Sequence, residues 1–202
     1  MKLHYSAASP FVRKVLVCAH ELGLAGQIEL VTTKVVPSEP NRDYARVAPL
    51  MKVPALQTDD GLALFDSVVI CEYLDDRAGG GKLFPARGEA RWRALRLHAA
   101  ANGILDAAVL NRYETFLRPE ALRWKAWSEG QLLKVDQSLD FLEQNAGELA
   151  HVDIGSIGAG CALGYLDFRY ADRDWRAAHP QLASWWEKAA KRPAFEKTVP
   201  KG

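Results

Sequence analysis

Three short segments carry the residue types from which a binding site for a small charged ligand is built: Ser9-Pro10-Phe11-Val12-Arg13-Lys14, Lys52-Val53-Pro54-Ala55-Leu56 and Asp66-Ser67. Ser9 stands before a proline where a strand turns into a helix, so its hydroxyl and the first free N–H groups of that helix point to one spot, which favours a negative charge. Ser6 lies in the same turn and can also donate. Val53-Pro54 is an X-Pro bond, for which the cis form is accessible, and a cis bond here turns the Val53 N–H and C=O outward to pair with an extended peptide as a strand would. At Asp66-Ser67 a helix begins. Its N-terminal N–H groups and the Ser67 hydroxyl can cradle a carboxylate while the Asp66 carboxylate holds an ammonium, which together are the two charges of an amino-acid head group. Jointly the segments describe a pocket for a small anionic peptide. Singly, each also has a plainer reading, because Ser-Pro and Asp-Ser are ordinary helix starts and proline opens many edge strands.

Those residues need elements to hold them. Residues 3–5 read as a strand, 10–24 as a helix capped by Ser9 with Gly23 near its end, and 28–33 as a second strand, a unit whose crossover should be right-handed. A short polar helix is expected over 42–47. Residues 55–58 and 62–65 flank the turn Asp59-Asp60-Gly61 as a hairpin, and Asp66 or Ser67 then caps a helix to about Arg77. Residues 1–77 thus form an α/β domain. Residues 78–87 contain Gly79-Gly80-Gly81 and Pro85 and read as a flexible linker, after which 88–202 have helical periodicity throughout, over 89–116, 119–144, 154–169 and 180–191.

With 202 residues and 49% hydrophobic content the chain can bury a substantial core. Its 26 basic and 25 acidic residues leave a net charge of +1, which provides no broad field for nucleic acid or an anionic membrane, and neither is expected as a partner. No apolar run approaches the roughly 20 residues of a membrane span, and the start lacks a signal-like apolar region, so a cytoplasmic address is expected. Cys18, Cys71 and Cys161 are odd in number and far apart, which suggests core residues and neither a disulfide framework nor a zinc site. The five histidines, His4, His20, His98, His151 and His179, never fall at helical ligand spacing, and no metal site is expected. The glycines before Lys82 lack the spacing of a phosphate-cradling loop.

The three segments together resemble the glutathione-binding half of a soluble glutathione transferase, and the resemblance covers nearly the whole chain. In that family a thioredoxin-like N-terminal domain carries a serine, cysteine or tyrosine near the first helix, a cis-proline in a V-P-x-L segment and an acidic-Ser pair at the third helix. Ser9, Val53-Pro54-Ala55-Leu56 and Asp66-Ser67 match these. Ser9-Pro10-Phe11 resembles the C-P-F element of omega-like members with serine in place of cysteine, and Cys161-Ala162-Leu163-Gly164-Tyr165-Leu166-Asp167-Phe168-Arg169 is similar to the core helix of a bacterial branch. The family usually begins that helix with S/T-x-x-D, whereas Asp153-Ile154-Gly155-Ser156 reverses the two types; both orders can cap. Gly155, Gly158 and Gly160 weaken the helix intrinsically and predict close packing against a neighbour.

The resemblance implies a thioredoxin-like domain followed by an all-α helix bundle, and a transferase that uses glutathione as co-substrate with no permanently bound cofactor. Glutathione would lie extended across Val53 and Pro54, its γ-glutamyl head on Asp66 and Ser67 and its sulfur near Ser9, with Phe11 and Lys52 completing the site. A free thiol has a pKa of about 8.5, and lowering it by about two units stabilises the thiolate by about 2.7 kcal/mol. Ser9, with Ser6 in reserve, would supply the hydrogen bond that does so. Serine cannot form a mixed disulfide, so the expected chemistry is addition to, or displacement on, a small hydrophobic electrophile, as in detoxification. The electrophile is expected between the domains, against the helix carrying Asn111, Arg112, Tyr113 and Phe116; bundle core is the other reading of Tyr113 and Phe116. A homodimer is implied as well, in which Ile104, Leu105 and Val109 would meet the partner and Asp106 would reach its glutathione site. Two other functions suit the same fold: a noncatalytic glutathione-binding or interaction module, and a glutathione-dependent thiol transferase or peroxidase.

Overall fold

The computed structural model describes residues 1–202, which divide into two compact units, Met1–Ala86 with Arg192–Gly202 and Arg87–Lys191. In the first, the alternating start of the chain forms β1 (Lys2–Tyr5), and Ser9 caps α1 (Pro10–Glu21). Pro10 occupies the first helical position, where its missing N–H has no partner to lose. Gly23, at a φ of +72°, turns the chain toward β2 (Glu29–Thr32), which pairs parallel with β1. The polar segment at 42–47 contracts to a single 3₁₀ turn, Tyr44–Arg46, with the Asn41 side chain accepting from the Tyr44 N–H. The hairpin consists of β3 (Ala55–Gln57) and β4 (Ala63–Leu64), and Asp66 caps α2 (Ser67–Arg77). Sheet order is β2-β1-β3-β4, with β3 antiparallel to both neighbours. Packing α1 against α2 buries Leu3, Val15, Cys18, Leu56, Ile70 and Leu74 completely.

The glycine-rich stretch does not hang free. The buried Asp75 carboxylate accepts hydrogen bonds from the N–H groups of Lys82, Leu83 and Phe84, while Gly79, Gly80 and Gly81 all take positive φ, the left-handed region that lets the chain fold back onto α2.

The second unit consists of α3 (Gly88–Arg112), α4 (Lys125–Gln144), α5 (Ile154–Arg169) and α6 (Pro180–Ala189). Residues Ile154 to Leu166 of α5 are buried without a break. A Cβ on Gly155 would stand 2.8 Å from the Ala94 carbonyl oxygen, and one on Gly158 would stand 3.0 Å from the His98 ring, so the close packing predicted for these glycines is present between α3 and α5. Asp153 and Ser156 form a reciprocal capping box despite their reversed order, with Ser156 N–H donating to Asp153 Oδ1 at 3.0 Å and Asp153 N–H to Ser156 Oγ at 3.1 Å. The final turn of α3 widens over Tyr113–Leu117, where Arg118 N–H reaches back to Tyr113 C=O. α4 begins at Lys125 and not at 119, because the buried Glu114 carboxylate accepts from Arg118 Nε and Trp124 N–H, both at 2.7 Å, and holds the intervening chain as a loop.

Two further expectations are corrected. Ile104 and Leu105 are fully buried inside this one chain, so they belong to the bundle core and cannot face a partner. The helical domain, expected to run to 202, gives up its last segment, since α7 (Pro193–Glu196) packs on α1 and Arg192 pairs with Glu21 at 2.8 Å.

Candidate functional site

Register decides which loops meet. His4 near the end of β1 lies beside Ala55 at the start of β3, and Leu56 lies beside Leu64 at the end of β4. The turn at 6–9, the segment before Ala55 and the junction at 65–67 therefore leave the sheet at the same end of its strands, which brings Ser6, Ser9, Lys52, Val53, Pro54, Asp66 and Ser67 to a common side.

The Ser9 hydroxyl oxygen accepts from Val12 N–H at 3.3 Å. Accepting leaves its own proton to donate elsewhere, so the cap and a donor role use different parts of one group. Phe11 occupies the first turn of α1, with the Nζ of the fully buried Lys14 5.8 Å from its ring centroid. The Val53–Pro54 peptide is cis, as is Phe65–Asp66. Val53 N–H and C=O make no hydrogen bond within the chain. Asp66 accepts from Val68 N–H through Oδ1 at 2.9 Å, which leaves Oδ2 for a cation, and the side chain is exposed. Ser67 is buried.

Sequence reasoning missed what supports Lys52 and Val53. Tyr44, buried, donates its hydroxyl to the Lys52 C=O at 2.9 Å, and its ring centroid lies 5.0 Å from that of His4. Burial raises the Tyr44 pKa to about 12, so it remains a donor at neutral pH. His4 is itself held between Thr33 Oγ1 at 2.9 Å and Gln57 Oε1 at 3.2 Å. Met51, just ahead, has a φ of 49°, a left-handed conformation that few side chains adopt. An isolated tyrosine in a polar stretch gives no periodic signal; only the sheet places it under the loop.

On the helical unit, Asn111 is buried and exchanges hydrogen bonds with Ser128, a role inside the bundle. Tyr113 and Phe116 are not core: Phe116 is 68% exposed, and the Arg112 guanidinium lies 3.9 Å from its ring centroid. Tyr113 is part-exposed, and burial of the remainder raises its hydroxyl pKa. Exposed Leu117, Leu122 and Trp124 follow in the same stretch of chain.

Residues 8–77 match the family model of the glutathione S-transferase N-terminal domain and residues 125–187 that of the glutathione S-transferase C-terminal domain. A curated relative, the uncharacterized GST-like protein YibF of Escherichia coli, is 33% identical, with 99% of this chain and 98% of that protein covered. A glutathione transferase family member from Pseudomonas fluorescens, solved with bound glutathione, superposes at a TM-score of 0.96 with 45% identity over 100% of this chain and 99% of its own. A second structure from that organism, with bound S-(propanoic acid)-glutathione, gives a TM-score of 0.92 with 45% identity over 99% of each chain.

Proposed function

Because this chain belongs to the glutathione S-transferase family, we propose that it activates the thiol of glutathione for attack on a small hydrophobic electrophile. The observation that carries this reading is the convergence, at one end of the strands, of an N-cap hydroxyl with a proton to donate, a backbone N–H and C=O left unpaired at Val53, and a helix start bearing Asp66 and Ser67. Glutathione binds extended along Val53, its γ-glutamyl carboxylate on Ser67 and the first N–H groups of α2, its ammonium on Asp66. Its sulfur meets Ser9 and the start of α1, where the hydroxyl and the helix N-terminus favour the thiolate; Phe11, Lys52 and Pro54 flank it. The thiolate forms a carbon–sulfur bond, and with an aryl halide the halide departs with its electron pair. The thioether bound by the Pseudomonas relative is a bond of this type and supports the reading.

Arg112, Tyr113 and Phe116 are proposed as the electrophile-binding residues, supported by the exposure of their aromatic rings. The proposal includes a homodimer and a cytoplasmic location, the latter consistent with three buried cysteines that form no disulfide. No helix is long and apolar enough to cross a membrane. The deciding experiment compares conjugation of an aryl halide by wild type and Ser9→Ala. A fall in kcat/KM supports the reading, and an unchanged rate removes Ser9 from it.

A further inference from the structure

Residues 192–202 return along α1 in the opposite direction and touch it, and the turn before it, in register. Arg192 pairs with Glu21 at the last residue of α1, with N···O separations of 2.8 to 3.1 Å. Phe195 then offers its C=O to Arg13 Nη2 at 3.3 Å, and its ring centroid lies 5.6 Å from the Arg13 guanidinium carbon. The buried Thr198 hydroxyl donates back to Ala194 C=O at 2.8 Å, which fixes the turn after α7. Lys201 N–H finally donates to Ala7 C=O at 3.2 Å. Ala7 lies between Ser6 and Ser9 in a turn closed by Ser9 N–H donating to Ser6 C=O at 3.0 Å.

We infer that residues 192–202 form a strap that holds the turn at 6–9 and so sets the direction of the Ser9 hydroxyl, with the Lys201 main chain as the positioning contact. The inference rests on the proposed role of Ser9 and extends it to a segment that touches no ligand. Its anchors, Arg192 and Phe195, bind the helix itself, whereas its last bond falls on the turn. Releasing that bond therefore frees the turn while the helix stays docked.

Lys201→Pro removes the N–H donor, and Lys201→Ala keeps it. Amide hydrogen exchange at residues 6–9 should be roughly fivefold faster in Lys201→Pro, the factor that one net hydrogen bond supplies, and unchanged in Lys201→Ala. Arg192→Ala, which releases the opposite anchor, should also speed exchange there. The apparent pKa of the bound thiol, read from the pH profile of conjugation, should rise in Lys201→Pro alone of the two position-201 variants, with KM for glutathione little changed. Equal exchange in those two variants overturns the strap, and faster exchange with an unmoved pH profile overturns its link to Ser9. If Ser9→Ala leaves the wild-type profile unmoved, the reading of Ser9 fails, and exchange still decides whether the strap exists.

Discussion

At position 9 the hydroxyl oxygen accepts from the helix, and in the proposed function the same group donates its proton to the glutathione sulfur. Replacement by alanine should expose both. Loss of the cap costs about 0.5–2 kcal/mol of stability, read by thermal melting. Loss of a hydrogen bond to a charged sulfur costs about 1.5–3 kcal/mol, so kcat/KM for an aryl halide should fall about ten- to hundredfold and the pH profile should move toward the ordinary thiol value of about 8.5. A variant that melts earlier yet conjugates at the wild-type rate would confine Ser9 to capping. The caps Ser9 and Asp66 are legible because such residues announce themselves beside proline and apolar runs. Tyr44 is not, since its contact with Lys52 spans a loop with no repeating pattern.

Among the elements, the seam between α3 and α5 is set by glycines. Alanine at 155 would gain about 1 kcal/mol of intrinsic helix stability, but its Cβ would press on a backbone oxygen, 2.8 Å away, that cannot move aside without displacing α3. Overpacking of that kind costs about 1–3 kcal/mol, so Gly155→Ala should lower the melting temperature, and a rise would contradict the packing described. Asp167 near the end of α5 should contribute to acid unfolding. Burial alone would raise its pKa, yet paired hydrogen bonds from Arg176 at 2.7 and 2.8 Å, with Trp175 and Trp186 indole donors, hold it below the usual carboxylate value. The stability this carboxylate contributes is full above its unfolded pKa of about 3.9 and is lost as pH falls through the lower folded value. Asp167→Asn should therefore flatten the acid limb of a stability–pH curve; an unchanged limb would remove Asp167 from acid unfolding. Periodicity reveals these helices, but not where α4 starts: Glu114, ten residues upstream in the chain, accepts from the N–H of Trp124 and holds the residue before the helix through space. Nor could it show residues 192–202 leaving the bundle, because that depends on Glu21 and Arg13 in a distant helix.

At the scale of the whole molecule, a net charge of +1 leaves recognition to local groups, and the proposed glutathione site would draw its charge preference from two helix starts and not from a surface field. The proposed homodimer should sediment at twice the 22.4 kDa of one chain; a monomer at micromolar concentration would contradict it. Ile104 and Leu105 have no part in that contact, being buried already. The most direct test of the central claim, that glutathione docks on the site formed by Ser9, Val53 and Ser67, is calorimetric titration of the wild type and Ser67→Ala with glutathione. The expected result is saturable binding at one site per chain, weakened about tenfold or more by the substitution, as for a lost hydrogen bond to a carboxylate. Wild-type protein that shows no saturable heat at two temperatures, or a Ser67→Ala variant that binds as tightly as wild type, would contradict it.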